Sequence, residues 1–263
     1  SGSFKSVYRA TWNRSNGDTS SVAVLQIKGS GSYLRDAFQQ ELNVTCELGL
    51  HPNLLRLLAI TKEPASGDYC LVTEFACHGS LKSMLLKLWE SRNTISALHK
   101  ILIARQICDG MVQLALHNVV HRDLAARNVL VFCMDSMNHL DVQVKIADYG
   151  LSILSNCGYC NTNGGSMAGS TARPIRWMAP ESIQRRLYSE QSDVWAFGVT
   201  MWEIWSYAMM PYGSVTDDCT VGSKIVDGER LANPDNCPAG IYAIMQKCWQ
   251  DTRKDRPTFK ELQ

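Results

Sequence analysis

The sequence predicts an α+β fold, with strands gathered in the first quarter of the chain and helices filling most of the remainder. Three observations carry that expectation. Val22-Ala23-Val24-Leu25-Gln26-Ile27 is β-branched and alternating, and Tyr69 to Glu74 reads as a further strand. Ile103, Ile107, Met111 and Leu114 recur at helical spacing within Ile101 to Leu116. Val194 to Trp205 is apolar nearly all round, as a buried helix should be. At 263 residues the chain exceeds the usual single-domain size, so it forms one large domain or two lobes sharing a cleft.

Taken in order, the chain opens with Ser1-Gly2-Ser3-Phe4-Lys5-Ser6-Val7-Tyr8, small residues leading into a strand. Asn13 to Ser20 is polar and carries the turn signal Asn16-Gly17-Asp18, so it reads as a hairpin loop before the strand at Val22. Ala37-Phe38-Gln39-Gln40-Glu41-Leu42, with Leu48 further on, forms the next helix, which His51-Pro52-Asn53 breaks. After the helix ending near Leu116, the pairs Val119-Val120 and Val129-Leu130 are expected to be short buried strands pinning the loop between them. Phe132 to Val142 reads as a surface insertion, and Leu151 to Arg173, rich in Gly, Ser and Asn, suits a loop with two conformations. The chain closes inside a last helix.

Composition excludes several classes. Apolar residues at 45% and charged residues at 19% suit a globular core, and a net charge of +1 argues against a nucleic-acid surface. Apolar runs such as Ile101-Leu102-Ile103-Ala104 are too short to span a bilayer, and no signal peptide opens the chain. The ten cysteines are scattered, as expected in a reducing, cytoplasmic compartment. Cys157 and Cys160 have ligand-like spacing, but no second pair accompanies them, so zinc or redox chemistry is not expected.

Chemistry concentrates in His121-Arg122-Asp123-Leu124-Ala125-Ala126-Arg127-Asn128, which sets a carboxylate and an amide at fixed separation. This stretch resembles the catalytic loop of a protein kinase in its tyrosine-kinase form. Val144-Lys145-Ile146-Ala147-Asp148-Tyr149-Gly150 is similar to the metal-binding D-F-G segment, with Tyr149 for Phe, an aromatic whose added hydroxyl needs a partner. Pro174-Ile175-Arg176-Trp177-Met178-Ala179-Pro180-Glu181 resembles the tyrosine-kinase version of A-P-E, where a Trp-Met platform leaves room for a phenol. Gly2, Phe4 and Val7 look like the second half of the Gly-rich loop, with Lys5 where its third glycine would stand. The resemblance covers essentially the whole chain in correct order. It implies a single two-lobed kinase domain over 1–263, trimmed at both ends. The small β-rich N-lobe covers about 1–73, the hinge about 74–80 and the large helical C-lobe about 81–263.

By that resemblance, Asp123 positions and deprotonates a substrate hydroxyl, and Arg127 belongs to the same catalytic loop. Asn128 and Asp148 hold Mg²⁺, with Mn²⁺ as an alternative ion. ATP lies beneath Gly2, Phe4, Val7 and Ala23 and above Leu130. Thr73 controls access behind the adenine, while Glu74 and Ala76 offer hinge backbone. Glu41 matches the helical glutamate of the family. Asp193 ties the catalytic loop to the buried helix, and Arg256 pairs with Glu181. Tyr159 is the candidate regulatory phosphosite, with Arg122 as its charge partner. The implied partners are ATP and protein tyrosine substrates, in the cytoplasm or in the intracellular domain of a membrane receptor. Trp177-Met178-Ala179 leans toward receptor-type groups over the Src group.

One family residue is missing. The strand lysine that holds the α/β-phosphates is replaced by Leu25. Lys28 stands three residues on, and strand side chains alternate, so it points away from the cleft. Lys5 precedes Val7 by two residues and shares its face, displaced about 6.6–6.8 Å toward the phosphates. Gly2-Ser3-Phe4-Lys5 is the string that with-no-lysine kinases carry in the same loop. Two readings follow: a kinase in which Lys5 replaces the strand lysine, or a pseudokinase that binds nucleotide or other signalling proteins without chemistry.

Overall fold

The computed structural model describes residues 5–13, 17–28, 32–135, 141–154, 160–161 and 173–263, with side chains left aside at 5, 32–37 and 160–161. Strands β1 (Lys5–Asn13), β2 (Thr19–Ile27), β3 (Leu57–Lys62) and β4 (Tyr69–Glu74) form an antiparallel sheet in the order β1-β2-β4-β3. Helix α1 (Ser32–Leu48) follows β2 in the chain. Alternation gives the sheet one face bearing Leu25, Ile27 and Leu71. Phe38 of α1 packs into that face and stacks on Tyr69 at 4.7 Å between centroids. A fully buried side chain of this size contributes roughly 1.5–3 kcal/mol, so Phe38 anchors the helix under the sheet. Val44 and Leu48 at its far end instead join the core of the large lobe.

The large lobe begins with α2 (Leu81–Glu90) and α3 (Ala97–Leu116), whose starts are capped by Ser80 and Ser96 accepting backbone N–H bonds. Short strands follow: β5 (Val119–Val120), β6 (Val129–Met134), β7 (Val142–Ile146), β8 (Ile153–Leu154) and β9 (Cys160–Asn161). Then come α4 (Pro180–Arg185), β10 (Leu187–Tyr188), α5 (Glu190–Trp205), α6 (Asp218–Val226), α7 (Ala239–Cys248) and α8 (Phe259–Leu262). Helix α5 is the buried helix expected, with Val194, Trp195, Val199 and Ile204 wholly enclosed. Helix α3 crosses β7 so closely that a Cβ on Gly110 would meet Ile146 Cδ1 at 2.8 Å. A side chain there would push the Ile146 tip aside and press on the Asn53 carbonyl at 3.0 Å, so glycine suits the close crossing beside the strand leading to Asp148. No helix among the described residues is long and apolar enough to cross a membrane.

One expectation needs correcting. Phe132 to Val142 is not wholly an insertion, because β6 continues through Met134 and pairs with β7. The ladder shifts register between Val131 and Cys133, and this bulge bends the strand without ending it.

Candidate active site

The loop between β5 and β6 is held from below by two buried carboxylates of α5. Asp193 accepts the backbone N–H of His121 at 2.6 Å and of Arg122 at 2.9 Å, one on each oxygen. Burial pushes its carboxyl up to about 6, against the downward pull of His121 and the two N–H donors. Glu203 accepts the Ala126 N–H and the Trp177 indole N–H, both at 2.9 Å and both on Oε2. It thereby ties the β5–β6 loop to the segment before α4, and burial raises its pKa as well. Arg122 takes a left-handed backbone, φ 69°, which the paired grip of Asp193 maintains.

Asp123 stands above this base. Its carboxylate accepts from the Arg127 guanidinium and from Asn128 Nδ2 at 2.8 Å. Asn128 Nδ2 also donates to the Asp123 carbonyl at 2.7 Å, so the amide nitrogen is committed and its oxygen is left for another partner. Arg127 in turn lies over the Trp177 ring at 4.4 Å. The carboxylate is therefore fixed by charge and by packing, with its loop anchored at several backbone points.

The second carboxylate comes from the turn after β7. Asp148 has φ 65° and accepts from Gly150 N, and its side chain is exposed while its neighbour Tyr149 is buried. The Tyr149 hydroxyl finds the partner it needs, donating to the Ile146 carbonyl at 3.0 Å, and burial raises its pKa well above the usual phenol range. Its ring meets His121 edge-on at 5.8 Å. Helix α1 closes over this turn: Gln40 donates to the Ser152 carbonyl, and Glu41 is 6% exposed. Glu41 is thus a buried carboxylate directed inward, not a solvated one. The segment beyond is also ordered against the loop, since Val119 and Val120 of β5 pair with Leu154 and Ile153 of β8.

Register places the small-lobe positions. Val7 pairs with Leu25, Arg9 with Ala23, and Ala23 with Thr73 across the sheet, so these positions share one face. Val7 is 65% exposed on that face, whereas Thr73 is buried. Lys5 starts β1 opposite Ile27, two pairs beyond Val7. Leu25 is half-buried against Ile27, Phe38 and Leu71, so its position is filled by core packing. Lys28 follows β2 and is exposed. Leu130 in β6 bridges to Ser80 just past the hinge, and the Ala76 carbonyl accepts from Gly79 N at 3.1 Å. Gly2, Phe4, Cys157 and Tyr159 lie outside the described residues.

Several functional contacts are absent from the sequence expectations. Glu203 is one, although a single acid inside an otherwise apolar helix was a visible signal. Lys145 of β7 forms an ion pair with Glu74 and sits 5.0 Å from the Phe132 ring, joining hinge to hairpin. Arg9 lies over Phe75 at 4.8 Å. By contrast, the expected Arg256–Glu181 pair is present and bidentate, at 2.7 and 2.9 Å.

A sheet lobe over a helical lobe, with two separately held carboxylates and an amide between them, defines the protein kinase class. The profile of protein tyrosine and serine/threonine kinases matches residues 1–263, and the chain belongs to that family. It is 39% identical over 262 residues to the tyrosine-protein kinase Abl of Drosophila melanogaster, covering 99% of this chain and 15% of that protein. It is 34% identical over 267 residues to the tyrosine-protein kinase transmembrane receptor Ror of Drosophila melanogaster, covering 99% of this chain and 36% of that one. Human ephrin type-A receptor 1 is 34% identical over 267 residues, covering 100% of this chain and 25% of the receptor. The chain therefore spans well under half the length of these relatives.

Proposed function

We propose that this domain transfers the γ-phosphoryl group of ATP to tyrosine hydroxyls of proteins, with Asp123 as the base. The observation that carries the reading is the fixation of Asp123 by Arg127 and Asn128 on a loop clamped by Asp193 and Glu203. A carboxylate so held can orient a phenol and accept its proton, and phosphoryl transfer depends mainly on such positioning and on charge stabilisation. Preference for tyrosine is supported by the names of the relatives and by the Trp177-Met178 platform.

The donor set fits a hard divalent cation. Asn128 has its amide nitrogen committed and its oxygen available, and Asp148 is exposed; two such oxygens plus phosphates and waters suit Mg²⁺ or Mn²⁺. A bound ion would supply neutralisation of phosphate charge. Lys5 supplies the remaining positive charge in place of the strand lysine, whose position Leu25 occupies, steadied by Glu41. Val7, Ala23 and Leu130 sandwich the adenine beside Thr73, with the backbone at Glu74 and Ala76 on its edge and Gly2 and Phe4 over the phosphates. Tyr159 is the regulatory phosphosite: Cys160 pairs with Tyr188, whose ring lies 4.3 Å under Arg122, and Arg122 Nε is buried without a partner among the described residues. A phosphate there would supply the missing acceptors. The reaction takes place in the cytoplasm or on the intracellular side of a receptor.

The test is phosphate transfer from ATP to a Glu-Tyr polymer, with a serine peptide in parallel, in Mg²⁺ and in Mn²⁺. Asp123→Asn should lower kcat by about 10²–10⁴. No transfer by the unaltered domain in either metal, before or after autophosphorylation, would favour the scaffold reading for which Leu25 speaks.

A further inference from the structure

At the ends of α2, α3 and α5 a cleft of about 810 Å³ opens in the large lobe, and it shares no lining residue with the active site. Its floor is Lys100 in the first turn of α3, 5% exposed. The Lys100 ammonium lies 4.8 Å from the Trp205 ring centroid and 4.0 Å from that of Tyr207. Its one hydrogen-bond acceptor among the described residues is the Trp205 carbonyl at 3.5 Å, with the Cys237 thiol near enough to act on its charge. An ammonium carries three donors, and a buried one is stable only when paired. Ring faces attract the charge but leave those donors unfilled. Burial accordingly holds the amine down at about 8.

The walls and rim narrow the ligand. Trp89, 56% exposed, tilts against Tyr207 at 6.1 Å, making a flat aromatic wall beside the cation. The rim carries Glu90, Arg92 and Asp235, all exposed. Two acids against one base disfavour a dianion such as a phosphate monoester, while the floor still calls for one negative charge. We propose that this cleft binds a small aromatic monocarboxylate, its carboxylate on Lys100 Nζ and its ring against Trp89 and Tyr207. Such a ligand would join the ends of three helices without touching the nucleotide cleft. Binding there is independent of whether the domain is an active kinase.

The experiment is calorimetric titration of the domain with 2-naphthoate, with and without saturating ATP and Mg²⁺. Saturable one-to-one binding unaffected by ATP is expected, weakened about 10-fold or more in Lys100→Met and for the neutral 2-naphthalenemethanol. Absence of saturable binding, displacement by ATP, or equal binding of the neutral alcohol would overturn the proposal, as would equal binding by Lys100→Met. Should Lys100→Met fail to fold by thermal melting, Trp89→Ala on the exposed wall replaces it. It must weaken naphthoate binding about 10-fold, in the range of one lost base-sized stack, and unchanged binding refutes the site.

Discussion

Converting each buried carboxylate of α5 to its amide should give opposite outcomes. Asp193 uses both oxygens, for His121 N and Arg122 N, whereas Glu203 takes both of its donors on Oε2. An amide keeps one acceptor oxygen. In Glu203→Gln that oxygen can receive both donors, and the new NH₂ replaces an oxygen without a partner among the described residues. In Asp193→Asn the NH₂ faces a backbone N–H, which is stranded. A stranded buried donor costs about 1–3 kcal/mol. Both substitutions remove a desolvated charge, so that gain largely cancels between them. Asp193→Asn should therefore be about 1–3 kcal/mol less stable than Glu203→Gln in urea unfolding followed by tryptophan fluorescence. Released backbone at His121 and Arg122 shifts Asp123, so kcat should fall about 10² in Asp193→Asn and change little in Glu203→Gln. Equal destabilisation, or a larger loss in Glu203→Gln, would refute the division of labour between the two acids.

Tyr149→Phe should be mild. The Ile146 carbonyl that accepts from the phenol also accepts from Leu55 N at 2.8 Å, so it stays satisfied and the loss is one bond of about 0.5–1.5 kcal/mol. Urea unfolding and kcat measure this, and a collapse of activity would contradict it. The acid limb of the kcat profile should centre near pH 6, because Asp193 is raised from 3.8 to about 6 and protonation turns one of its acceptors into a donor facing an N–H. Stability moves the other way. Between about 6 and 3.8 the folded chain holds a proton that the unfolded chain releases, so this group's contribution is fully present below 3.8 and lost as pH rises through 6. A limb centred near 4, or parallel losses of activity and stability on acidification, would count against it.

The element order was legible because strand alternation and helical spacing are local signals, and the candidate site could be outlined because motif residues sit at fixed separations. Asp193 and Arg256 could be assigned partners from the resemblance, and both partners are found. What escaped was set by tertiary register. The bulge at Phe132 hid the continuation of β6, since an extra residue leaves no mark in composition. Glu203 and Lys145 act through partners 77 and 71 residues distant in sequence, a separation at which no periodicity speaks. Nothing local in the sequence marks Lys100, because Trp205 and Tyr207 close over it only in the fold. Leu25 stands out in the sequence only through the resemblance, and its packing against Phe38 and Leu71 belongs to the folded sheet.

Whether Lys5 stands in for the strand lysine decides whether the intact loop at Asp123 is put to use. Lys5 pairs with Ile27 and Val7 with Leu25, so Lys5 and Leu25 occupy positions of the same face two pairs apart. The measurement is kcat/KM for ATP in the unaltered domain, Lys5→Met, Lys28→Met and the double variant Lys5→Met with Leu25→Lys. Lys5→Met should lose about 10²–10³, as expected for one preorganised donor at developing charge, while Lys28→Met stays unchanged and the double variant recovers activity. Full activity in Lys5→Met would contradict the relocation of the lysine.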